Sequence, residues 1–342
     1  MPTANAGKVL VTGANGYIAV WVLRVLLEQG YTVRGTVRSE SKGKHLRKLF
    51  SSYGDKLELV VIPDITKEGA FDEAVKGVDA IEHTASPFHY KVDEPDEIIV
   101  PAVQGTLRVL ESALAHGTAV KRIVVTSSLA AIMQLSRAPA TFTESDWNDP
   151  SVEEIRTKGR NASNFDKYLA SKTLAERAAW KFVEDHRDAI KWDLVVLNPP
   201  YVFGPAIHEV DSPEALNESL EGLFFSVFKG REGKEYLSSV GASWVDVRDL
   251  AEAHVLALKT PKAGGERIII NEGPFKYQDF VNAAREFGLK PVVSDDSYDP
   301  TKAEHALLAD NSKSVRLFGL KYRSIKDSTK DMLEDFKSRG WL

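Results

Sequence analysis

The chain contains no cysteine. Disulfides, zinc–thiolate sites and thiol nucleophiles are therefore excluded. A continuous run of about 18 apolar residues, the length that reads as a membrane span, is also missing. So is a cationic N-terminal region leading into an apolar stretch, which leaves no secretory signal to read. Positive charge is not in excess. Lys and Arg number 44 against 49 Asp and Glu, giving a net charge of −5 and a pI of about 6.0. Phosphate backbones and anionic membranes attract basic surfaces, so neither partner is expected. Internal repeats and low-complexity segments are absent too, which argues against a solenoid or a disordered tail.

What remains is an ordinary globular composition, 43% hydrophobic and 27% charged over 342 residues. Short apolar runs at 8–12, 31–37, 57–63, 80–84, 122–126 and 192–197 read as strands. Longer amphipathic stretches at 17–29, 42–50, 71–75, 100–116 and 166–185 alternate with them and read as helices. This alternation predicts an α/β chain with a Rossmann-type, doubly wound parallel sheet. After residue 198 the pattern loosens into mixed helix and loop, and 267–270 reads as one returning strand. The expected division is a cofactor-binding body over 1–204, with 245–272 returning to it. A smaller, mixed C-terminal substrate lobe takes 205–244 and 273–342.

Between the first strand and the first helix stands Gly13-Ala14-Asn15-Gly16-Tyr17-Ile18-Ala19. Glycine allows a tight turn and a close backbone approach to a pyrophosphate. The helix that follows offers free N–H groups and its positive dipole end. At the end of the second strand, where an NAD site carries a carboxylate for the ribose 2′-hydroxyl, stands Arg38, with Lys42 four residues on. A guanidinium attracts a 2′-phosphate that a carboxylate would repel, so the expected cofactor is NADPH/NADP+. Glu40, between the two cations, is a competitor for the ribose region. Asp64, followed by Ile65, is placed either to touch adenine or to cap a helix.

Tyr168 and Lys172 lie four apart on a helix and share a face. A neighbouring ammonium favours ionisation of a phenol, which on its own titrates near about 10. The pair is thus expected to exchange a proton near neutral pH. Thr126-Ser127-Ser128 ends the fifth strand, on the edge of the sheet where ligands bind. A serine there can bond a substrate carbonyl. The histidines show no ligand-like spacing, and no metal is expected.

Taken together, the glycine turn, Pro63-Asp64-Ile65, His83-Thr84-Ala85-Ser86-Pro87-Phe88, Thr126-Ser127-Ser128, Tyr168 through Lys172, Asn198-Pro199 through Pro205, and Val245-Asp246-Val247-Arg248-Asp249 resemble the extended short-chain dehydrogenase/reductase family. Within it, the chain is similar to fungal aldehyde and ketone reductases of the methylglyoxal reductase type. More distantly it is similar to plant dihydroflavonol and cinnamoyl-CoA reductases. The resemblance implies that Ser128, Tyr168 and Lys172 are catalytic, and that Arg38 and Lys42 take the 2′-phosphate. It implies that Thr84, Ala85 and Ser86 border pyrophosphate and ribose, and that Pro199 and Val202 hold the nicotinamide amide. Phe88, Leu129, Met133 and Tyr201 fall where the family lines its substrate pocket. The expected activity is NADPH-dependent reduction of an aldehyde or ketone by a cytoplasmic monomer or homodimer. Two alternatives are a sugar-nucleotide epimerase or dehydratase that retains NAD, and a non-catalytic NADP(H)-sensing regulator.

Overall fold

A computed structural model describes residues 3–86, 92–134 and 139–342. Its first half runs β1 (Lys8–Thr12), α1 (Tyr17–Glu28), β2 (Thr32–Val37), α2 (Glu40–Leu49), β3 (Leu57–Val61), β4 (Ala80–His83), α3 (Asp96–His116), β5 (Arg122–Thr126) and β6 (Ala140–Phe142). There follow α4 (Asp149–Lys158), α5 (Asn164–Asp185), β7 (Asp193–Asn198) and β8 (Tyr201–Phe203). The remainder comprises α6 (Glu218–Leu223), α7 (Lys234–Ser239), β9 (Gly241–Asp246), α8 (Val247–Lys259), β10 (Arg267–Ile269), β11 (Gly273–Lys276), α9 (Tyr277–Glu286), β12 (Leu307–Ala309), α10 (Ser312–Phe318) and α11 (Ile325–Ser338).

Seven strands form one sheet in the order β10-β7-β5-β4-β1-β2-β3, and every neighbouring pair is parallel. Side chains alternate across a strand, and here both faces are apolar. Val9, Val11, Val124 and Val195 enter the core that holds α1 and α8. Leu10, Ile81, Ile123 and Val196 enter the opposite core, with Val109 and Leu110 of α3 and Phe182 of α5. That two-sided burial is why the strands read as unbroken apolar runs. A buried guanidinium ties the sheet to α8: Arg122, fully buried on β5, holds both carboxylate oxygens of Asp193 at 2.7 Å and the carbonyl of Thr260 at 2.7 Å.

From β1 the chain winds outward through β2 and β3, then returns to β4 on the other side of β1. This reversal is where ligands bind in open α/β sheets. Thr12 and His83 are paired there, so the glycine turn and the Thr84-Ala85-Ser86 segment leave the sheet side by side.

Three features depart from the sequence expectation. Residues 71–75 form turns, not a helix. They lie between Gly69 and Gly77, both at positive φ, and so short a run cannot offset the cost of helix nucleation. The helix expected from residue 100 begins at Asp96 and runs through Pro101. By length and composition α3 is apolar enough to cross a membrane, but it packs along α5 and buries Val109, Leu110 and Ala113. The helix α4 was not anticipated. Asn148 caps it by accepting from Ser151 N, with Pro150 in its first turn.

The remaining strands make two small sheets. β9 pairs antiparallel with β11 and parallel with β8, while β12 lies parallel to β6. β8 begins only two residues after β7 leaves the large sheet, across Pro199-Pro200. The first helix is tied to this region by Tyr17, whose hydroxyl donates to Gly204 O at 2.9 Å, and by Trp21, whose indole N–H donates to Pro205 O at 2.9 Å.

Candidate active site

The turn after β1 is built for close approach. Gly13 has φ +63°, and a Cβ there would lie 3.1 Å from Ala85 Cα. Thr36 fixes the turn from β2, accepting from Gly13 N through its hydroxyl at 3.0 Å and from Ala14 N through its carbonyl at 2.8 Å. Gly35 is part of the same device, since a Cβ at that position would meet Ala14 Cβ at 2.8 Å. Neither Thr36 nor Gly35 was singled out in the sequence. The signal was a glycine inside a valine-rich strand, which marks close backbone approach. At Gly16 the helix has no side-chain cap, which leaves its first N–H groups for an anion.

A cleft of about 250 Å³ runs along these strand ends. Gly13, Gly16, Tyr17 and Ile18 line one side, and Thr84, Ser86, Pro199 and Val202 line others. The Tyr17 ring turns away to Gly204, so its backbone is the part left at the turn. Asn15 is half-buried on the turn. Ala85 sits under Gly13, with its N–H given to Thr12 Oγ1 at 3.0 Å. Arg38 and Lys42 are exposed, and neither makes an ion pair among the described residues. The competing carboxylate is engaged elsewhere: Glu40 pairs with Arg47 at 2.9 Å. Asp64 caps a turn rather than a helix, accepting from Thr66 N at 2.9 Å and Thr66 Oγ1 at 2.7 Å, which holds its carboxyl below the usual range. Ile65 packs its side chain toward Gly105 of α3. A glycine cradle, a bare helix N-terminus and two unpaired cations at the end of β2 fit a dinucleotide with a 2′-phosphate.

The three groups expected to react come from two elements, α5 and the segment that follows β5. Ser163 caps α5, accepting from Asp166 N at 3.0 Å. One turn further in, Tyr168 and Lys172 face the cleft, with the ammonium 5.8 Å from the Tyr168 ring centre. Lys172 Nζ donates to Ser86 Oγ at 2.9 Å. Ser128 follows β5. Its hydroxyl accepts from Ala130 N at 3.1 Å and is hydrogen-bonded to the Tyr168 phenol.

Electrostatics correct the sequence expectation for Tyr168. Burial pushes its phenol up to about 12, and the bond to Ser128 offsets this only in part. Burial lowers Lys172 to about 8. Without the cofactor, loss of solvent dominates at both groups. The phenol therefore stays protonated across the physiological range. Lys172 is the group that titrates. Its charged form is present below about pH 8 and is lost above it. Accordingly, kcat/KM for NADPH, which reports the free enzyme, should be level below about pH 8 and decline above it. An unchanged profile to pH 10, roughly the range of an unshifted lysine, would contradict the assignment.

The sequence reading missed the group that joins these elements. Glu176 lies one further turn along α5, on the face of Tyr168 and Lys172, and is only 2% exposed. Its Oε2 accepts from Ser127 Oγ at 2.5 Å and Asn198 Nδ2 at 2.7 Å. Its Oε1 accepts from Arg267 Nε at 2.5 Å and Trp180 Nε1 at 3.3 Å. Asn198 also donates to Ser128 O at 3.1 Å. One carboxylate thus holds the ends of β5 and β7 against the helix that carries the tyrosine. The available signal was the four-residue spacing from Lys172.

A second cavity, of about 110 Å³, adjoins the first across Ser128, Tyr168 and Pro200. Leu129, Met133 and Tyr201 line it, together with Phe165, Glu218 and Ser243, which were not foreseen. Phe88 lies outside the described residues.

Fold and site together define an extended short-chain dehydrogenase/reductase. Residues 9–273 match the NAD dependent epimerase/dehydratase family, to which the chain belongs. Among individual relatives, it is 35% identical to the NADPH-dependent methylglyoxal reductase GRE2 of Saccharomyces cerevisiae, covering 95% of this chain and 96% of that one. It is 36% identical to the ketoreductase azaE of Aspergillus niger, covering 96% and 98%. The crystal structure of yeast methylglyoxal/isovaleraldehyde reductase Gre2 complexed with NADPH superposes with a TM-score of 0.87, at 32% identity over 98% of this chain and 100% of that one.

Proposed function

We propose that the chain is an NADPH-dependent carbonyl reductase that converts small aldehydes or ketones to alcohols. The observation that carries this reading is the position of Ser128 and Tyr168. Both lie on the wall shared by the dinucleotide cleft and the apolar cavity, where a carbonyl bound in one reaches a cofactor bound in the other.

NADPH, when bound, supplies the hydride. Gly13, Asn15, Gly16, Tyr17 and Ile18 would hold its pyrophosphate, and Arg38 and Lys42 its 2′-phosphate. Asp64 and Ile65 would border adenine. Thr84, Ala85, Ser86 and Lys172 would meet the ribose side, and Pro199 and Val202 the nicotinamide side. Ser128 and Tyr168 donate hydrogen bonds to the carbonyl oxygen and stabilise its developing negative charge. Tyr168 then passes its phenolic proton to that oxygen. Lys172 keeps a positive charge beside the phenol, which eases that transfer. Leu129, Met133 and Tyr201 would exclude water around the substrate. In this reading residues 1–204 and 245–272 serve the cofactor, and 205–244 and 273–342 serve the substrate. The working form is a monomer or homodimer in the cytoplasm, to which a cysteine-free composition is suited.

The test is loss of NADPH absorbance in the presence of a panel of aldehydes, diketones and aryl ketones, with NADH in parallel. Turnover with NADPH supports the reading. NADPH binding without reduction of any carbonyl overturns it in favour of a sensor, and copurified NAD without net oxidation in favour of an epimerase. Arg38 separates the two cofactors. A lost charged hydrogen bond costs about 1.5–3 kcal/mol, so Arg38→Ser should raise KM for NADPH by roughly ten- to a hundred-fold. KM for NADH should barely move. Equal effects on both would remove Arg38 from the 2′-phosphate.

A further inference from the structure

The apolar cavity carries one charged side chain among its described lining residues, and it is a carboxylate. Glu218 opens α6 and lines both this cavity and the dinucleotide cleft. Among the described residues the lining includes no lysine or arginine, apart from Lys172 on the cofactor side. Besides Tyr168, two aromatic rings border the same cavity, and they are among the few large apolar side chains left exposed among the described residues: Phe165 and Tyr201, each at 37%. A carboxylate lining the same cavity as part-exposed aromatic rings can favour a cation, because the ring quadrupole and the acid both attract positive charge. The acid's field also reaches the reacting group, since it disfavours ionisation of both Tyr168 and Tyr201.

We propose that Glu218, with Phe165 and Tyr201, makes the substrate cavity selective for charge: it favours carbonyl compounds bearing an ammonium group on an apolar body and disfavours those bearing a carboxylate or phosphate. This selectivity rests on the reductase reading for the role of the cavity. An amino ketone would place its carbonyl at Ser128 and Tyr168 and its ammonium at the rim beside Glu218. An oxo acid of the same shape would bring like charge to that rim. For a unit charge about 6–8 Å away, the interaction ranges from roughly three-fold in binding of an ionic ligand at the dielectric of water to thirty-fold or more at that of a protein surface.

The experiment uses three aryl methyl ketones of matched size, with a para aminomethyl, hydroxymethyl or carboxylate group. The wild type is compared with Glu218→Gln, which keeps the shape and removes the charge. The expected wild-type order of kcat/KM is ammonium, neutral, carboxylate. In the variant the ammonium-to-carboxylate ratio should fall by at least about ten-fold, whatever its absolute rate. Phe165→Leu should lower the ammonium compound's advantage while leaving the penalty on the carboxylate. Binding of the same compounds is read separately, by quenching of protein fluorescence. If no ketone is turned over, the reductase reading fails, yet the charge ranking is still measured. A ratio that is the same in wild type and Glu218→Gln, by turnover and by binding, overturns the proposal.

Discussion

Tyr168→Phe should leave NADPH binding intact and lower kcat by about 10²–10⁴-fold, the range that a positioned general acid contributes. The substitution removes one oxygen and little else. The ring keeps its place on α5, and Lys172 keeps its bond to Ser86. What is lost is the proton held ready by a phenol that burial raises to about 12. Ser128 would still donate to the carbonyl, which is why a residual rate is expected. Single-turnover kinetics with NADPH in excess read the chemical step directly, and a fluorescence titration reads cofactor affinity. A kcat within about three-fold of wild type, well short of any general-acid contribution, would show that another group supplies the proton.

The second large effect is structural in origin and catalytic in consequence. Glu176→Leu should destabilise the fold by about 3–5 kcal/mol, because breaking a buried ion pair strands its partner. Arg267 would be left without its carboxylate, and Ser127 and Asn198 without their acceptor. Denaturant unfolding measures this loss. Glu176→Gln retains an acceptor and should fold. It loses the charge opposite Arg267 and weakens the clamp on the Ser128 segment. Displacement of a reacting group by about 1 Å can cost 10²-fold, so kcat should fall by at least ten-fold while KM changes less. A Gln variant with full kcat would confine Glu176 to stability. A fall in KM affinity alone would place its effect on the cavity rather than on Ser128.

The large sheet was legible because each strand is buried on two sides, and continuous runs such as Val9 to Val11 follow from that geometry. Tyr168 and Lys172 were legible because helical spacing alone puts them on one face. Glu176 obeys the same spacing but reads as an ordinary helix acid until Arg267, ninety-one positions away, is brought beside it. The residues 71–75 misled because an amphipathic stretch was read as helix, whereas the flanking glycines set the backbone. The strands β8, β9 and β11 are three to six residues long and pair across distant segments, so no local pattern announces them. Glu218 and Phe165 escaped for a related reason: their importance lies in which cavity they border, and chain order does not encode that.

The step from β7 to β8 across Pro199-Pro200 also bears on how such a protein changes over time. Pro199 borders the cofactor cleft, and Pro200 borders both chambers. Two consecutive pyrrolidine rings fix the backbone φ angles and leave no N–H to rearrange. The partition between the chambers is therefore stiff. Substitutions at Met133, at Phe165 or in β9, which border the apolar cavity and not the cofactor cleft, can reshape that cavity without disturbing the glycine turn or Arg38. New substrates can then be acquired by drift on one side of that partition while the cofactor preference is inherited unchanged on the other.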